Sequence, residues 1–133
     1  MTNEPSNQEL LQQLCQRDMR YPFEAYDFVL QALSFIQHEM KKRGALSEDS
    51  KHVTGQQLSE ACRDMALQEY GMMAGAVLTS WNIKKTDDIG EMVKNLINID
   101  LMVKTETDRQ EDFNNVYDMK KAFASGFSFT FDG

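Results

Sequence analysis

Trp81-Asn82-Ile83-Lys84-Lys85-Thr86-Asp87-Asp88-Ile89-Gly90-Glu91 is the stretch whose reading decides the fold. Asn82 to Lys85 read as a turn, and Thr86 reads as the N-cap of a helix with Asp87 and Asp88 in its first turn, where acids complement the macrodipole. Ile89, Met92, Val93 and Leu96 recur at helical spacing and form the buried stripe of that helix. Gly90 inside it disfavours the helix by about 1 kcal/mol relative to alanine, which marks close backbone packing.

Upstream, Thr54 and Gln57 have the spacing of a capping box, with Val53 and Leu58 placed as its hydrophobic staple. That helix continues through Ala61, Cys62 and Met65 and stops at Gly71. A short helix over 72–81 then sets Met73, Val77 and Trp81 one turn apart. Downstream of Asp100 the period changes to two. Leu101, Val103, Thr105 and Thr107 alternate with Met102, Lys104 and Glu106, and Phe113, Asn115, Tyr117 and Met119 alternate again after the charged run 108–112. Two such runs predict a β-hairpin. Helix, helix, turn, helix and hairpin is the order of a winged helix-turn-helix over 52–119.

Towards the start of the chain, residues 1–8 read as a disordered tail. Leu10, Leu11 and Leu14 supply a short helix, and Tyr21-Pro22 open the strongest one. Tyr26, Val29, Leu33, Ile36 and Met40 line one face of it, with Ala25, Phe28, Ala32 and Phe35 beside them. A helix apolar over so much of its girth belongs at the centre of a core. It closes with Lys41, Lys42, Arg43 and Gly44, cations at the negative end of the dipole. Asp118 caps a last short helix, and Phe127, Phe129 and Phe131 form an aromatic strand candidate in 120–133. The expectation is a mainly helical α+β fold. A single domain over 9–133 would pack N-terminal helices (9–44) on the winged-helix-like unit.

Composition narrows the function. A chain of 133 residues with formal net charge −7 and pI near 4.8 is poorly suited to phosphate backbones or anionic membranes. A DNA-reading helix should present Arg, Lys, Asn or Gln, yet 86–100 holds Asp87, Asp88, Glu91 and Asp100 against Lys94. Lys41, Lys42, Arg43, Lys51, Lys84 and Lys85 could instead form a small basic patch for nucleic acid. The bland reading of the same residues is helix capping and solvated turns.

Chemistry is sparse. His38-Glu39 lacks a second histidine one turn on, so it is no zinc-protease motif. Cys62 and His52 could pair as nucleophile and base, but Cys62 shares an apolar face with Leu58 and Met65, the place of an inert thiol. Cys15 and Cys62 read as reduced thiols. No catalytic residue, metal site or cofactor is expected, nor a signal peptide or membrane span; the expected location is cytoplasmic. Nine methionines suit either core filling or an adaptable surface. Phe127, Phe129 and Phe131 suit packing on the chain itself or on a partner. The leading expectation is a non-enzymatic protein–protein interaction or regulatory module, with partner binding or self-association. The alternative is a nucleic-acid-associated regulator acting through the basic patch.

Several blocks carry a resemblance. They are Arg20-Tyr21-Pro22-Phe23-Glu24-Ala25-Tyr26-Asp27-Phe28-Val29, His52-Val53-Thr54-Gly55, Trp81 to Glu91, Lys104-Thr105-Glu106 and Asp112-Phe113-Asn114-Asn115-Val116-Tyr117-Asp118. Together the chain resembles, over about 20–123, a small single-domain bacterial family of unassigned activity from planctomycete-like and verrucomicrobia-like genomes. The resemblance implies a free-standing cytoplasmic protein. It assigns no catalytic or binding residue, and residues beyond Phe123 lie outside it.

Overall fold

A computed structural model of the chain describes residues 4–42, 44, 53–103 and 110–123. Five α-helices follow in order: α1 (Asn7–Arg17), α2 (Phe23–Lys42), α3 (Gly55–Tyr70), α4 (Ala74–Ser80) and α5 (Thr86–Asn98). Single 3-10 turns occupy Gly71–Met73 and Gln110–Phe113, and 119–123 are helical. Among the described residues there is no strand.

α2 is the central element. Ala25, Tyr26, Phe28, Val29 and Ala32 are buried along it, between α1, α3 and α5. Each large side chain removed from water there contributes roughly 1.5–3 kcal/mol. One continuous core joins these residues to Leu11 and Leu14 of α1, Leu58, Cys62 and Met65 of α3, Leu78 of α4, and Ile89, Met92 and Leu96 of α5.

The helix ends are set locally. Ser6 accepts from the Glu9 N–H, so α1 begins at Asn7, inside the stretch read as a tail. Thr54 and Gln57 form the reciprocal capping box expected of them, at 3.1 and 2.9 Å. α4 and α5 end in the same way. Asn82 (φ 67°) and Asp100 (φ 62°) adopt the left-handed conformation. The next N–H in each case turns back to a helix carbonyl: Ile83 to Leu78, and Leu101 to Leu96, both at 2.9 Å. These are Schellman closures on residues other than glycine. They explain why the turn over 82–85 is tight.

The winged helix is not formed. Leu101 and Met102, the start of the expected first strand, both direct their N–H groups at the Leu96 carbonyl and so belong to the cap of α5; 104–109 lie outside the described residues. The expected second strand is an irregular strap. Phe113 ends a 3-10 turn, the Asn114 N–H bonds to the Glu111 carbonyl, and Asn115 takes φ 50°. Phe113 is buried and Tyr117 reaches inward to the Ser59 carbonyl at 2.7 Å. Inward-facing residues therefore recur without any ladder of strand hydrogen bonds.

The strap crosses the first turns of α3 and α5. A Cβ on Gly55 would fall 2.8 Å from the Asp112 Cβ, and one on Gly90 2.9 Å from the Phe113 Cβ. Both glycines are required for this approach. Thr86 is not the cap of α5. It is the first residue inside the helix and is fully buried, and its hydroxyl donates to the Phe113 carbonyl and accepts from the Val116 N–H. The capping carboxylate is Asp88, which accepts from the Lys84 and Lys85 N–H groups. Asp118 does cap the final helical turn, accepting from the Lys121 N–H at 3.2 Å.

Candidate functional site

Three places on the surface gather polar or exposed apolar side chains. The first is a polar network that ties the α1–α2 junction to α5. Arg20 holds Asp18 through Nε and Nη2 and reaches Glu91 at 2.9 Å. Asn95 donates to both Asp18 and the Tyr26 hydroxyl, and the Tyr21 hydroxyl donates to Asp88 at 2.6 Å. The Arg20 hydrogen bonds hold the Asp18 carboxyl well below the usual carboxylate range. Burial and then the Asp88 hydrogen bond push the Tyr21 hydroxyl up, and burial does the same to Tyr26. Asp18, Asp88 and Glu91 each accept from a neighbour in this network, so its chemistry is that of a brace.

The acidic face of α5 is accounted for in the same way. Asp87 accepts from the Asn115 N–H, Asp88 from Tyr21, and Glu91 from Arg20. Ile89, Gly90, Met92, Val93 and Leu96 are buried. The three carboxylates are thus engaged within the chain, and the exposed residues of α5 are Lys94 and Asn98.

The second place is a cleft of about 650 Å³ between α2 and α3. Ile36, Met40 and Ala61 floor it, and Glu39, Glu60, Asp64 and Arg63 stand around it. Arg63 is paired with Asp64 at 2.9 Å and lies over the Tyr117 ring.

The third is α4. Residues 71–83 carry no Asp, Glu, Lys or Arg, in a chain that is 26% charged. Ala74 and Leu78 anchor α4 to the core, which turns Met72, Met73, Ala76, Thr79 and Ser80 outward. Met72 is 48% and Met73 59% exposed. Val77 and Trp81 lie half-buried on one flank, and Trp81 is wedged against Phe28 (5.5 Å between ring centroids) and Tyr70 (6.1 Å). On the other flank Phe123 covers Gly75, its Cβ 3.3 Å from where a Gly75 Cβ would sit. The result is a methionine-bearing face on an aromatic-backed helix that carries no charged residue of its own, with exposed Lys120 and Lys121 on the helical turn that brings Phe123 to Gly75. Exposed adjacent methionines of this kind adapt to apolar partners.

The basic residues do not gather at one point. Lys41 and Lys42 are exposed at the end of α2, whereas Lys84 and Lys85 are exposed beside Asp88, which bonds Tyr21 at the other end of that helix. α2 is about 28 Å long at 1.5 Å per residue, so these four lysines form two separate pairs. Arg43 and Lys51 lie outside the described residues, as do Phe127, Phe129 and Phe131.

Cys62 is buried among Phe28, Val29, Leu78, Ile83 and Ile89, and burial pushes its thiol up to about 12. It is a core residue, and its suggested partner His52 is outside the described residues. Among the described residues no group of three or more His, Cys, Asp or Glu could hold a metal ion, and no helix is long and apolar enough to cross a membrane.

The α4 surface was half visible beforehand. Met73, Val77 and Trp81 share a stripe, but the buried stripe is Ala74 and Leu78, and the stronger signal was the charge-free run 71–83. No family model, curated protein or solved structure matches the chain.

Proposed function

We propose that the chain is a non-enzymatic protein-interaction module that docks a partner on the exposed face of α4. One observation carries this: Met72, Met73 and Ala76 face outward in a stretch, 71–83, that itself carries no charged residue. Burying such a face against a partner desolvates no charge of α4 itself, and methionine side chains repack around what they meet. Trp81 packs against Phe28 and Tyr70 and so ties the end of α4 to α2 and α3, which limits the ordering cost of binding.

The nucleic-acid alternative gains less. Its lysines stand in two pairs at opposite ends of α2, and the acids of α5 remain beside one of them. Affinity purification of the full chain, with and without nuclease, tests both readings. Proteins retained by the wild type and lost with Met73→Glu or Ala76→Arg are the expected result. Retention unchanged by both substitutions would overturn docking on α4. Retention abolished by nuclease alone would move the function to nucleic acid.

A further inference from the structure

We propose that the cleft between α2 and α3 binds a small amphipathic organic cation, an ammonium or guanidinium group carried on an apolar body. The site shares no residue with the α4 face and stands or falls separately from it.

Both walls are regular helix, so residues three and four apart share a face. On α2, Phe35 and Glu39 stand one turn apart, and Ile36 and Met40 repeat the step in the neighbouring row. On α3, Glu60 and Asp64 stand one turn apart beside Ala61. The aliphatic row of one helix therefore meets the small residue of the other to make the floor, and the carboxylates stand above it on both sides.

Three properties of the cleft select its ligand. Its volume of about 650 Å³ lies within the range of small-molecule pockets, roughly 300–1,000 Å³. Its charge is negative: Glu39, Glu60 and Asp64 line it against Arg63 alone, a net −2 among the lining residues. That one cation is already committed, its Nε donating to Asp64 at 2.9 Å and its guanidinium lying over the Tyr117 ring at 5.5 Å. Lys41 and Lys42 follow Met40 on α2 but do not line the cleft. Its third property is aromatic. Phe35, at 38% exposure, is the one exposed ring among the described residues. A ring face beside carboxylates attracts an organic cation through its quadrupole as well as through their charge.

Simpler occupants use only part of this. An apolar neutral molecule would cover carboxylates without pairing them, which costs free energy. An anion would be repelled. A bare metal ion would leave the floor of Ile36, Met40 and Ala61 unused, and no cluster of ligands for one is present among the described residues. Glu60 and Asp64 also repel each other at a spacing of four residues, and a cation seated beside them relieves that repulsion.

The test is a titration of the isotope-labelled full chain with phenylethylamine, followed by amide NMR. Phenylethanol, phenylpropionate and methylammonium supply the neutral, the anionic and the bare-cation comparison. Saturable shifts at Ile36, Glu39, Ala61 and Asp64 are expected with phenylethylamine. Phenylethanol should bind about tenfold more weakly, and the other two should leave these amides in place. Added salt should weaken the amine and not the alcohol. Glu60→Lys and Phe35→Ala change exposed positions and leave the core intact. The first should weaken the amine by about tenfold or more, the second by about threefold. Equal affinity for amine and alcohol would overturn the proposal, as would an amine affinity unchanged by Glu60→Lys. Methylammonium shifts as large as those of phenylethylamine would overturn it too, since counterions would then gather at the acids without use of the floor. Absence of a saturable shift at the four residues with phenylethylamine would dismiss the site altogether.

Discussion

The hydroxyl of Thr86 donates a 2.6 Å hydrogen bond to the carbonyl of Phe113 in the core, across 27 residues of sequence. The same oxygen accepts from the Val116 N–H at 3.0 Å. One side chain therefore satisfies two backbone groups of the strap, the buried Phe113 carbonyl and the partly buried Val116 N–H. Thr86→Val keeps the shape and removes the side-chain partner of both groups, at about 1–3 kcal/mol for the buried Phe113 carbonyl and about 1 kcal/mol for the partly buried Val116 N–H. The expected loss is roughly 2–4 kcal/mol in urea unfolding, and Thr86→Ser should restore most of it. A Thr86→Val variant as stable as the wild type would show that the strap is not held this way.

Gly90 and Gly75 make opposite predictions from the same substitution. Alanine at either gains about 1 kcal/mol of helix propensity. At Gly90 the new Cβ meets the Phe113 Cβ at 2.9 Å and Cγ at 3.0 Å, groups seated in the core. Overpacking there costs typically 1–3 kcal/mol, so Gly90→Ala should be net destabilising. At Gly75 the nearest atom is the Phe123 Cβ at 3.3 Å, on a terminal helical turn. Gly75→Ala should stay within about 1 kcal/mol of wild type. Equal thermal shifts for the two variants would contradict the close approach of the strap to α5.

Asp18 ties stability to acid pH. Its carboxyl is held below the ordinary range chiefly by the Arg20 side-chain hydrogen bonds. A group depressed in the folded state contributes stability that is present above the unfolded value, about 3.9, and lost as pH falls through the folded value. The stability advantage of wild type over Asp18→Asn should be constant near neutrality and shrink below about pH 4. Chemical unfolding at a series of pH values reads this directly, and a gap that does not change with pH would remove Asp18 as its source.

What could be read from sequence was what is local. Thr54 caps a turn with Gln57 three residues away, Asp118 does so with Lys121, and the buried row Tyr26, Val29 and Phe28 repeats within one helix. The strap was illegible because its bonds are distant: Phe113 to Thr86, Asn115 to Asp87, Tyr117 to Ser59. Phe113 and Tyr117 show the period of a strand because both turn inward, yet the left-handed Asn115 between them breaks any ladder. Thr86 was mistaken for a cap for the same reason, since a threonine before two acids caps helices far more often than it anchors a strap. At the candidate site, Met72 and Met73 were recognisable as adaptable, but which side of α4 faces out depends on Leu78 and Ala74 finding the core. The distance between the two lysine pairs is likewise a property of how α2 lies against α5.

The strap also orders events in time. Gly55 and Gly90 form a seam whose covering residues, Asp112 and Phe113, are synthesised after both helices that it closes. Until about residue 117 has left the ribosome, the Thr86 hydroxyl and the Ser59 carbonyl have no strap to bond. A nascent chain carrying α1 to α5 alone thus lacks the residues that close this flank, and the strap contacts can form only after 110–117 have been made. Chaperone dependence and proteolytic nicking during synthesis should concentrate in that interval.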